Sequence, residues 1–307
     1  MPELPEVQTT VKGLKSHIIG LVIKDTWSNY NSPYFKDSKT IKDPAYFKIF
    51  KTSVLGQKII SVERRAKNIL VNLENGQTIL IHMKMTGHLL YGLYRFNLAN
   101  KNDPWEPIKP ESLKDPYNKR VRFVLTFDNG RHLALSDTRK FAKITILDSK
   151  IIHQSEHLKE LGPEPLDKEF TTEKFRECLN KKPLGKIKQV LTDQTVIVGI
   201  GNIYADESLW RAGINPVEKV QNISDRKMSK LFKAIKTLLT KGIDLGGDSM
   251  SDYRNVDGNK GNFQEHHRAY QQTGQKCKKK GCGGKIVRIV VGGRATHYCN
   301  AHQKLSK

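Results

Sequence analysis

Apolar positions in the first half of the chain fall in short runs rich in β-branched and aromatic residues, at Lys58–Val62, Ile69–Leu73, Thr78–His82, Val121–Phe127 and Ile144–Leu147. Runs of that length and composition predict strands. Asn75-Gly76 and Asn129-Gly130 punctuate two of them and supply the positive φ angles that tight hairpin turns need. A helix is expected over Val7–Ser16, just behind the N-terminus. The stretch Arg95–Lys119 is polar, carries Pro104, Pro107, Pro110 and Pro116, and reads as an inserted surface loop.

Leu161-Gly162-Pro163-Glu164-Pro165-Leu166 then interrupts both patterns, because two prolines and a glycine continue neither a ladder nor a helix. Beyond it the period becomes helical. Thr171-Thr172 caps a helix over Glu173–Lys181, and Ser224 caps Asp225–Lys241. Met228, Leu231, Ile235, Leu238 and Leu239 lie at helical spacing in the second of these and are core candidates. Leu245–Gln264 is glycine-rich, polar and long, the composition of a mobile functional loop. The pattern divides the chain into a strand-rich domain 1–160, a linker 161–166, a helical domain 167–270 that includes this loop, and a terminal segment 271–307.

Charge changes the picture next. The 307 residues hold 53 Lys and Arg against 31 Asp and Glu, a formal charge of +22. Such an excess favours a polyanionic partner, with nucleic acid ahead of an anionic lipid surface or a merely soluble basic protein. No run approaches eighteen apolar residues and no signal-peptide pattern opens the chain, so a soluble cytoplasmic protein with no membrane partner is expected.

Three patterns then carry chemistry. Cys277-x4-Cys282-x16-Cys299-x2-His302 sets two short-spaced ligand pairs on either side of a hairpin, Lys285–Val291 and Arg294–Tyr298 joined by Gly292-Gly293. That spacing closes a tetrahedral zinc ribbon, and four protein ligands leave no position for a catalytic water. One structural Zn²⁺ is therefore expected. Cys178 stands apart as an inert buried thiol, and His266-His267 has no ligand spacing and reads as surface. Val198-Gly199-Ile200-Gly201-Asn202 places a tight turn before a helix, where backbone N–H groups and the Asn202 side chain suit a phosphate, although such turns are also common as pure structure. Finally, the chain opens Met1-Pro2-Glu3. Removal of Met1 frees a secondary amine beside a carboxylate. An α-amino group titrates near ~8 against ~10.4 for lysine, so more of it is neutral and nucleophilic at pH 7.

Together these pieces resemble the formamidopyrimidine-DNA glycosylase family of bifunctional repair enzymes, almost end to end. The resemblance is carried by Pro2-Glu3-Leu4-Pro5-Glu6, Arg65-Ala66-Lys67, His82-Met83-Lys84-Met85-Thr86-Gly87, Asp137-Thr138-Arg139-Lys140-Phe141, Asp193-Gln194 and Gly199–Glu207. It continues through Gly246-Gly247, Asp252-Tyr253-Arg254-Asn255, Gly258 and Gly293-Arg294-Ala295-Thr296-His297-Tyr298-Cys299. Leu4, where the sister branch for oxidised pyrimidines has glycine, favours the purine-directed branch.

The resemblance implies an α+β multidomain fold: an N-terminal β-sandwich, a helix-two-turn-helix domain with a lesion-recognition loop, and a zinc finger, with double-stranded DNA between the lobes and a monomeric enzyme. It implies Pro2 as nucleophile and Glu3 as proton donor and acceptor. Lys67, Asn202 and Arg294 are then phosphate ligands, Glu6 supports the reacting sugar, and Met85, Arg139 and Phe141 fill the gap left by an extruded nucleotide. Lys188 aligns as a contact near the lesion. The implied activity is removal of 8-oxoguanine and formamidopyrimidines, then β,δ-elimination at the abasic site. A pyrimidine preference and a non-catalytic DNA-binding protein are the rivals. The sequence departs from the family in three places: His302 and the x4 spacing in the zinc site, Ala142 after Phe141, and the length of Arg95–Lys119.

Overall fold

The computed structural model describes residues 1–30 and 35–306. Two compact units emerge, one of residues 1–159 with 245–262 and the other of residues 160–244 with 263–307. Compactness thus groups the glycine-rich segment 245–262 with the strand-rich half, which it follows only after the long helical interval.

The first unit runs α1 (Leu4–Ile18), β1 (Ile23–Ser28), α2 (Pro44–Val54), β2 (Ile59–Arg65), β3 (Asn68–Leu73), β4 (Gln77–His82), β5 (His88–Phe96), β6 (Trp105–Lys109), β7 (Val121–Phe127), β8 (His132–Ser136) and β9 (Lys143–Asp148). The strands form two antiparallel sheets, β1-β7-β8-β5-β6 and β2-β3-β4-β9. Alternation sends Ile69, Val71, Leu73, Ile79, Ile81 and Ile144 of the smaller sheet into one core with Leu89, Phe123, Leu125, Phe127, Leu133 and Leu135 of the larger. This is the expected sandwich. Val7, Val11, Leu14 and Ile18 bring one stripe of α1 into the same core, each burial contributing at most about 1.5–3 kcal/mol.

Two expectations about this unit need correcting. The first helix begins at Leu4, not Val7, because Pro5 falls in its first turn, where the missing N–H has no intrahelical partner to lose. Arg95–Lys119 is not a simple surface loop. It contains β6 and two 3-10 turns, Glu111–Lys114 and Pro116–Asn118. Leu90, Tyr94, Val124 and Ala134 leave the larger sheet apolar on its outer face, and Trp105 and Leu113 of the insertion cover that face. Pro107 is tolerated because β6 is an edge strand.

The second unit runs α3 (Thr172–Asn180), α4 (Ile187–Thr192), α5 (Asn202–Ala212), α6 (Asp225–Asp244), β10 (Ile286–Val291) and β11 (Arg294–Cys299). The Thr171 hydroxyl caps α3 by accepting from the Lys174 N–H at 3.4 Å. Phe170 and Phe175 pack with Phe232 of α6 at ring-centroid distances of 5.8 and 5.3 Å. All five helical-period residues noted in α6 are buried. β10 and β11 form the expected hairpin, with positive φ at both Gly292 and Gly293. Cys178 is half-buried, and burial pushes its thiol pKa up, consistent with an inert group. His267, expected at the surface, is buried beside Phe263 and Tyr270. Among the described residues no helix is long and apolar enough to cross a membrane.

Candidate active site and nucleic-acid interface

Pro2 and Glu3 sit at the mouth of α1, and both are buried. Glu3 is the N-cap. Its side chain accepts from the Glu6 N–H, while Glu6 Oε2 accepts from the Glu3 N–H at 2.7 Å. This reciprocal capping box fixes the backbone immediately after Pro2. Glu6 Oε1 accepts from the Asp248 N–H at 2.8 Å, so both carboxyl oxygens are engaged. Burial, reinforced by the Glu3 charge, pushes the Glu6 pKa up from 4.5 to about 7. A carboxyl that titrates near neutrality therefore lies directly behind the Pro2–Glu3 pair.

The loop 247–257 reaches α1 along a single face. Gly247 and Asp248 meet Glu6, the Tyr253 hydroxyl donates to the Glu6 carbonyl at 3.0 Å, and it lies 3.4 Å from Thr10 Oγ1. Val256 fills the space above Gly13, and Asp257 Oδ1 lies 2.9 Å from His17 Nε2. Glu6, Thr10, Gly13 and His17 follow helical spacing, so one face of α1 takes this loop while the Val7–Ile18 stripe takes the sandwich core. Gly247 has φ +88°, and a Cβ there would lie 3.0 Å from both Glu6 Cγ and Tyr253 Cε1. The mobile loop expected from composition is instead anchored, with Asp248, Ser249, Tyr253, Arg254 and Val256 buried.

Lys67 occupies the two-residue turn between β2 and β3, after Ala66 at φ +54°. The β2 strand leading into that turn is tied to α1 by Arg64 Nε donating to Gln8 Oε1 at 2.8 Å. Nearby, burial and the charges of Lys84 and Lys67 push His82 down to about 3, so it is neutral at pH 7 within a cationic patch. Burial likewise lowers the ammonium pKa values of Lys42 and Lys84.

Met85, Arg139 and Phe141 are brought together at the surface of this unit. Arg139 donates to Met85 Sδ at 3.3 Å, and its guanidinium carbon lies 4.4 Å from the Phe141 ring centre. Their two turns are locked by one carboxylate: Asp137 accepts from Thr86 Oγ1 at 2.5 Å and from the Ala142 N–H at 2.8 Å. Met85 and Phe141 are both more than two-fifths exposed, at 43% and 44%. Two apolar side chains held out into solvent beside an arginine are what insertion into a base stack requires.

In the second unit, Gln194 shapes the glycine turn, accepting from the Gly199 N–H and donating to the Ile200 carbonyl, both at 2.9 Å. The turn delivers Asn202 as the first residue of α5, with its side chain donating to the Ala295 carbonyl at 2.9 Å. Asp206, one helical turn on, accepts from the His297 N–H at 2.9 Å. A four-residue helical step and a two-residue strand step span similar lengths, so β11 docks along α5 and Asn202 comes beside Arg294. Lys188 is not at the surface. Its ammonium pairs with Asp206 and donates to the Asn202 carbonyl at 3.1 Å, with 1% of the side chain exposed. Sequence spacing carried no sign of this pair, since its partner is a helix away.

Cys277, Cys282, Cys299 and His302 converge, with ligand atoms all within 4.8 Å of one another. Cys282 Sγ lies 3.6 Å from both Cys299 Sγ and His302 Nδ1, and Cys277 Sγ lies 3.5 Å from His302 Nδ1. Bond lengths of ~2.3 Å to sulfur and ~2.0 Å to nitrogen give tetrahedral edges of roughly this size. His302 Nε2 lies 3.1 Å from the Trp210 carbonyl, which fixes the tautomer that leaves Nδ1 for the metal. The residues fit one Zn²⁺.

Comparison with known proteins agrees with this geometry. Residues 1–144 match the formamidopyrimidine-DNA glycosylase N-terminal domain, 161–254 its H2TH domain, and 274–301 the zinc finger found in FPG and IleRS. The formamidopyrimidine-DNA glycosylase of Pelotomaculum thermopropionicum is 35% identical over 305 residues, covering 99% of this chain and 100% of that one. That of Herpetosiphon aurantiacus is 34% identical, covering 97% of this chain and 98% of its own. Among solved structures, the Lactococcus lactis Fpg complex with abasic-site DNA superposes at TM-score 0.79 with 30% identity, covering 97% of each chain. The MutM (FPG) protein of Thermus thermophilus superposes at 0.76 with 30% identity and the same coverage. The chain belongs to the formamidopyrimidine-DNA glycosylase family, whose members are bifunctional DNA glycosylases and abasic-site lyases.

Proposed function

We propose that this chain removes oxidised purines, 8-oxoguanine and formamidopyrimidines, from duplex DNA and then cleaves the abasic site through a Pro2 Schiff base. The observation that carries the reading is the buried Pro2-Glu3 start, held by the capping box with Glu6. Removal of Met1 exposes the Pro2 nitrogen as a secondary amine. It attacks C1′ as the glycosidic bond breaks and the base departs with a proton; the C1′–O4′ bond then opens, with O4′ taking a proton from Glu3, and leaves a ring-opened iminium. Abstraction of a C2′ proton then expels the 3′ phosphate by β-elimination. A second proton loss expels the 5′ phosphate by δ-elimination. Glu3 is the acid–base group for these transfers, and Glu6 supports the sugar.

Lys67, Asn202 and Arg294 are phosphate ligands in this reading, each set by a turn. Met85, Arg139 and Phe141 enter the vacated stack, with Arg139 donating to the orphaned base. Lys188 acts through Asn202, whose carbonyl it holds. Bound zinc fixes the hairpin that carries Arg294, and no step passes through it. A point mutant of the Lactococcus lactis relative has been crystallised with Fapy-dG DNA, which supports the purine assignment.

Borohydride added during turnover on a lesion-bearing duplex is expected to trap the iminium, with mass spectrometry locating the adduct on Pro2. Glu3→Gln should retain DNA binding and lose ~10²–10⁴-fold in base release. An adduct on a lysine, or parental turnover by Glu3→Gln, overturns the mechanism.

A further inference from the structure

The inserted segment has no part in the reaction as described, yet its second half is built against the loop that reaches Glu6. Asp115 takes the Arg254 guanidinium on both oxygens, from Nε at 3.2 Å and Nη2 at 3.3 Å. Arg254 is only 1% exposed, and its Nη1 donates to the Ser251 and Tyr253 carbonyls at 3.1 and 2.8 Å. The Tyr117 ring centre lies 4.5 Å from the guanidinium carbon. Ser112 Oγ donates to the Asp257 carbonyl. Asn118 donates to the Gly258 carbonyl at 3.3 Å and lies 3.0 Å from His88 Nε2. Gly258 has φ +83°, and a Cβ there would lie 2.7 Å from the Ser112 carbonyl oxygen, so no side chain fits.

The loop is therefore held on two sides, by the Glu6–His17 face of α1 and by residues 112–118. Between the anchors at Asp248 and Tyr253–Arg254, Met250 and Ser251 are the exposed positions, Met250 at 41%. An arginine buried with Nη1 on two loop carbonyls and with Nε and Nη2 on Asp115 is a fixed strut. A serine or lysine would not span the same set of acceptors.

We propose that the insertion is a clamp that presets the Met250–Asp252 tip for contact with the damaged base, making Asp115 and Arg254 specificity-determining positioning residues. The inference rests on the base-excision reading above. A preset tip binds an extruded base without first losing its own backbone freedom, whereas a loose one must be ordered during recognition. The clamp matters for a substrate that carries a base. It matters little for an abasic site, which offers the tip nothing to meet, and the Asp248 contact with Glu6 lies outside the clamped half.

Single-turnover excision of 8-oxoguanine, strand cleavage at a preformed abasic site, and amide hydrogen exchange over 249–258 test this together. Asp115→Asn and Arg254→Gln should each lower excision about tenfold or more, given that ordering even one residue costs about that factor. Abasic-site cleavage should stay within about twofold, exchange should rise, and the double variant should be no worse than either single one. Should Arg254→Gln fail to fold, Ser112→Ala, which removes one hydrogen bond, should repeat the direction at smaller size. Equal loss on both substrates means a structural pair only, and faster exchange with unchanged excision means a tip that needs no presetting. Either outcome overturns the clamp. A parent protein that cleaves abasic sites but excises no oxidised purine overturns the base-excision reading instead.

Discussion

The zinc hairpin and the glycine-rich loop pose the same physical problem and solve it differently. Each is a short segment with few buried apolar side chains, β10–β11 with its ligand arms in one unit and 245–262 in the other. Neither buries enough surface to hold its shape alone. The hairpin takes its cross-link from ligands that flank it, Cys277, Cys282, Cys299 and His302. The loop takes its cross-links from residues far away in the chain: Glu6 and His17 on α1, and Ser112, Asp115 and Asn118 in the insertion. A local cross-link makes a segment legible and self-contained. A distant one hides the segment in the sequence and ties its shape to two other parts of the chain.

Removing the metal breaks the comparison most severely. Structural zinc contributes on the order of 10 kcal/mol to small finger folds, far more than the hairpin's packing. His302→Ala or strong chelation should abolish zinc binding and unfold residues 271–307, while the near-ultraviolet signal of the sandwich persists. Arg294 would lose its platform, and the slope of log affinity for DNA against log salt should shrink by about one. His302→Cys should restore both, since thiolate and imidazole suit the same tetrahedron. Elemental analysis with a salt titration checks this, and full affinity without zinc would mean that docking on α5 alone holds the hairpin.

That contrast explains what the sequence made legible. The ligand spacing, the α6 stripe and the strands β3, β4 and β7 all speak through neighbours a few residues apart. β1 stayed hidden because its register shifts between Ile23 and Asp25, which breaks the alternation, and because Lys24, Asp25, Thr26 and Ser28 are charged or polar. β6 stayed hidden behind Pro107, which an edge strand accepts. In the site, Pro2, Glu3, the Met85–Arg139–Phe141 group and the zinc ligands stood in recognisable motifs. The burial of Lys188 and the anchoring of the loop did not, because Asp206 and Asp115 look like any surface aspartate until the fold brings a cation to them. One weak signal was present: Glu6, Thr10 and Gly13, a polar and glycine face on a helix whose other side is apolar.

Gly13 sharpens the comparison at intermediate size. In an exposed helix, Gly→Ala adds about 1 kcal/mol of stability by reducing the freedom of the unfolded chain. Here an added Cβ would overlap Val256 of the loop. Gly13→Ala should therefore destabilise by about 1–3 kcal/mol, the usual cost of overpacking, with the opposite sign to propensity. Val256→Ala in the same chain should recover part of the loss by opening space. Urea denaturation of the parent, the two single variants and the double variant measures the coupling. A stabilised Gly13→Ala would mean that the loop yields to α1 rather than resting on it.

The smallest effect is a slope rather than a shift, and it comes from the loop's anchor on Glu6. Burial and the neighbouring Glu3 charge raise the Glu6 pKa to about 7, against an ordinary 4.5. Below the ordinary value the group is protonated in folded and unfolded chains alike and contributes no pH dependence. Between 4.5 and 7 the folded chain holds a proton that the unfolded chain has released, so stability falls as pH rises. Well above 7 both states are ionised, and the full cost of a buried charge persists at a constant level. Between pH 6 and 8 this one group should lower stability by about 1 kcal/mol. Glu6→Gln removes the titration, and its amide cannot accept from both the Glu3 and Asp248 N–H groups as the carboxylate does. The variant should therefore be less stable at every pH yet lack the parental slope across this window. Parallel slopes for the two proteins would place the titrating proton elsewhere and leave Glu6 as an ordinary ionised cap of α1.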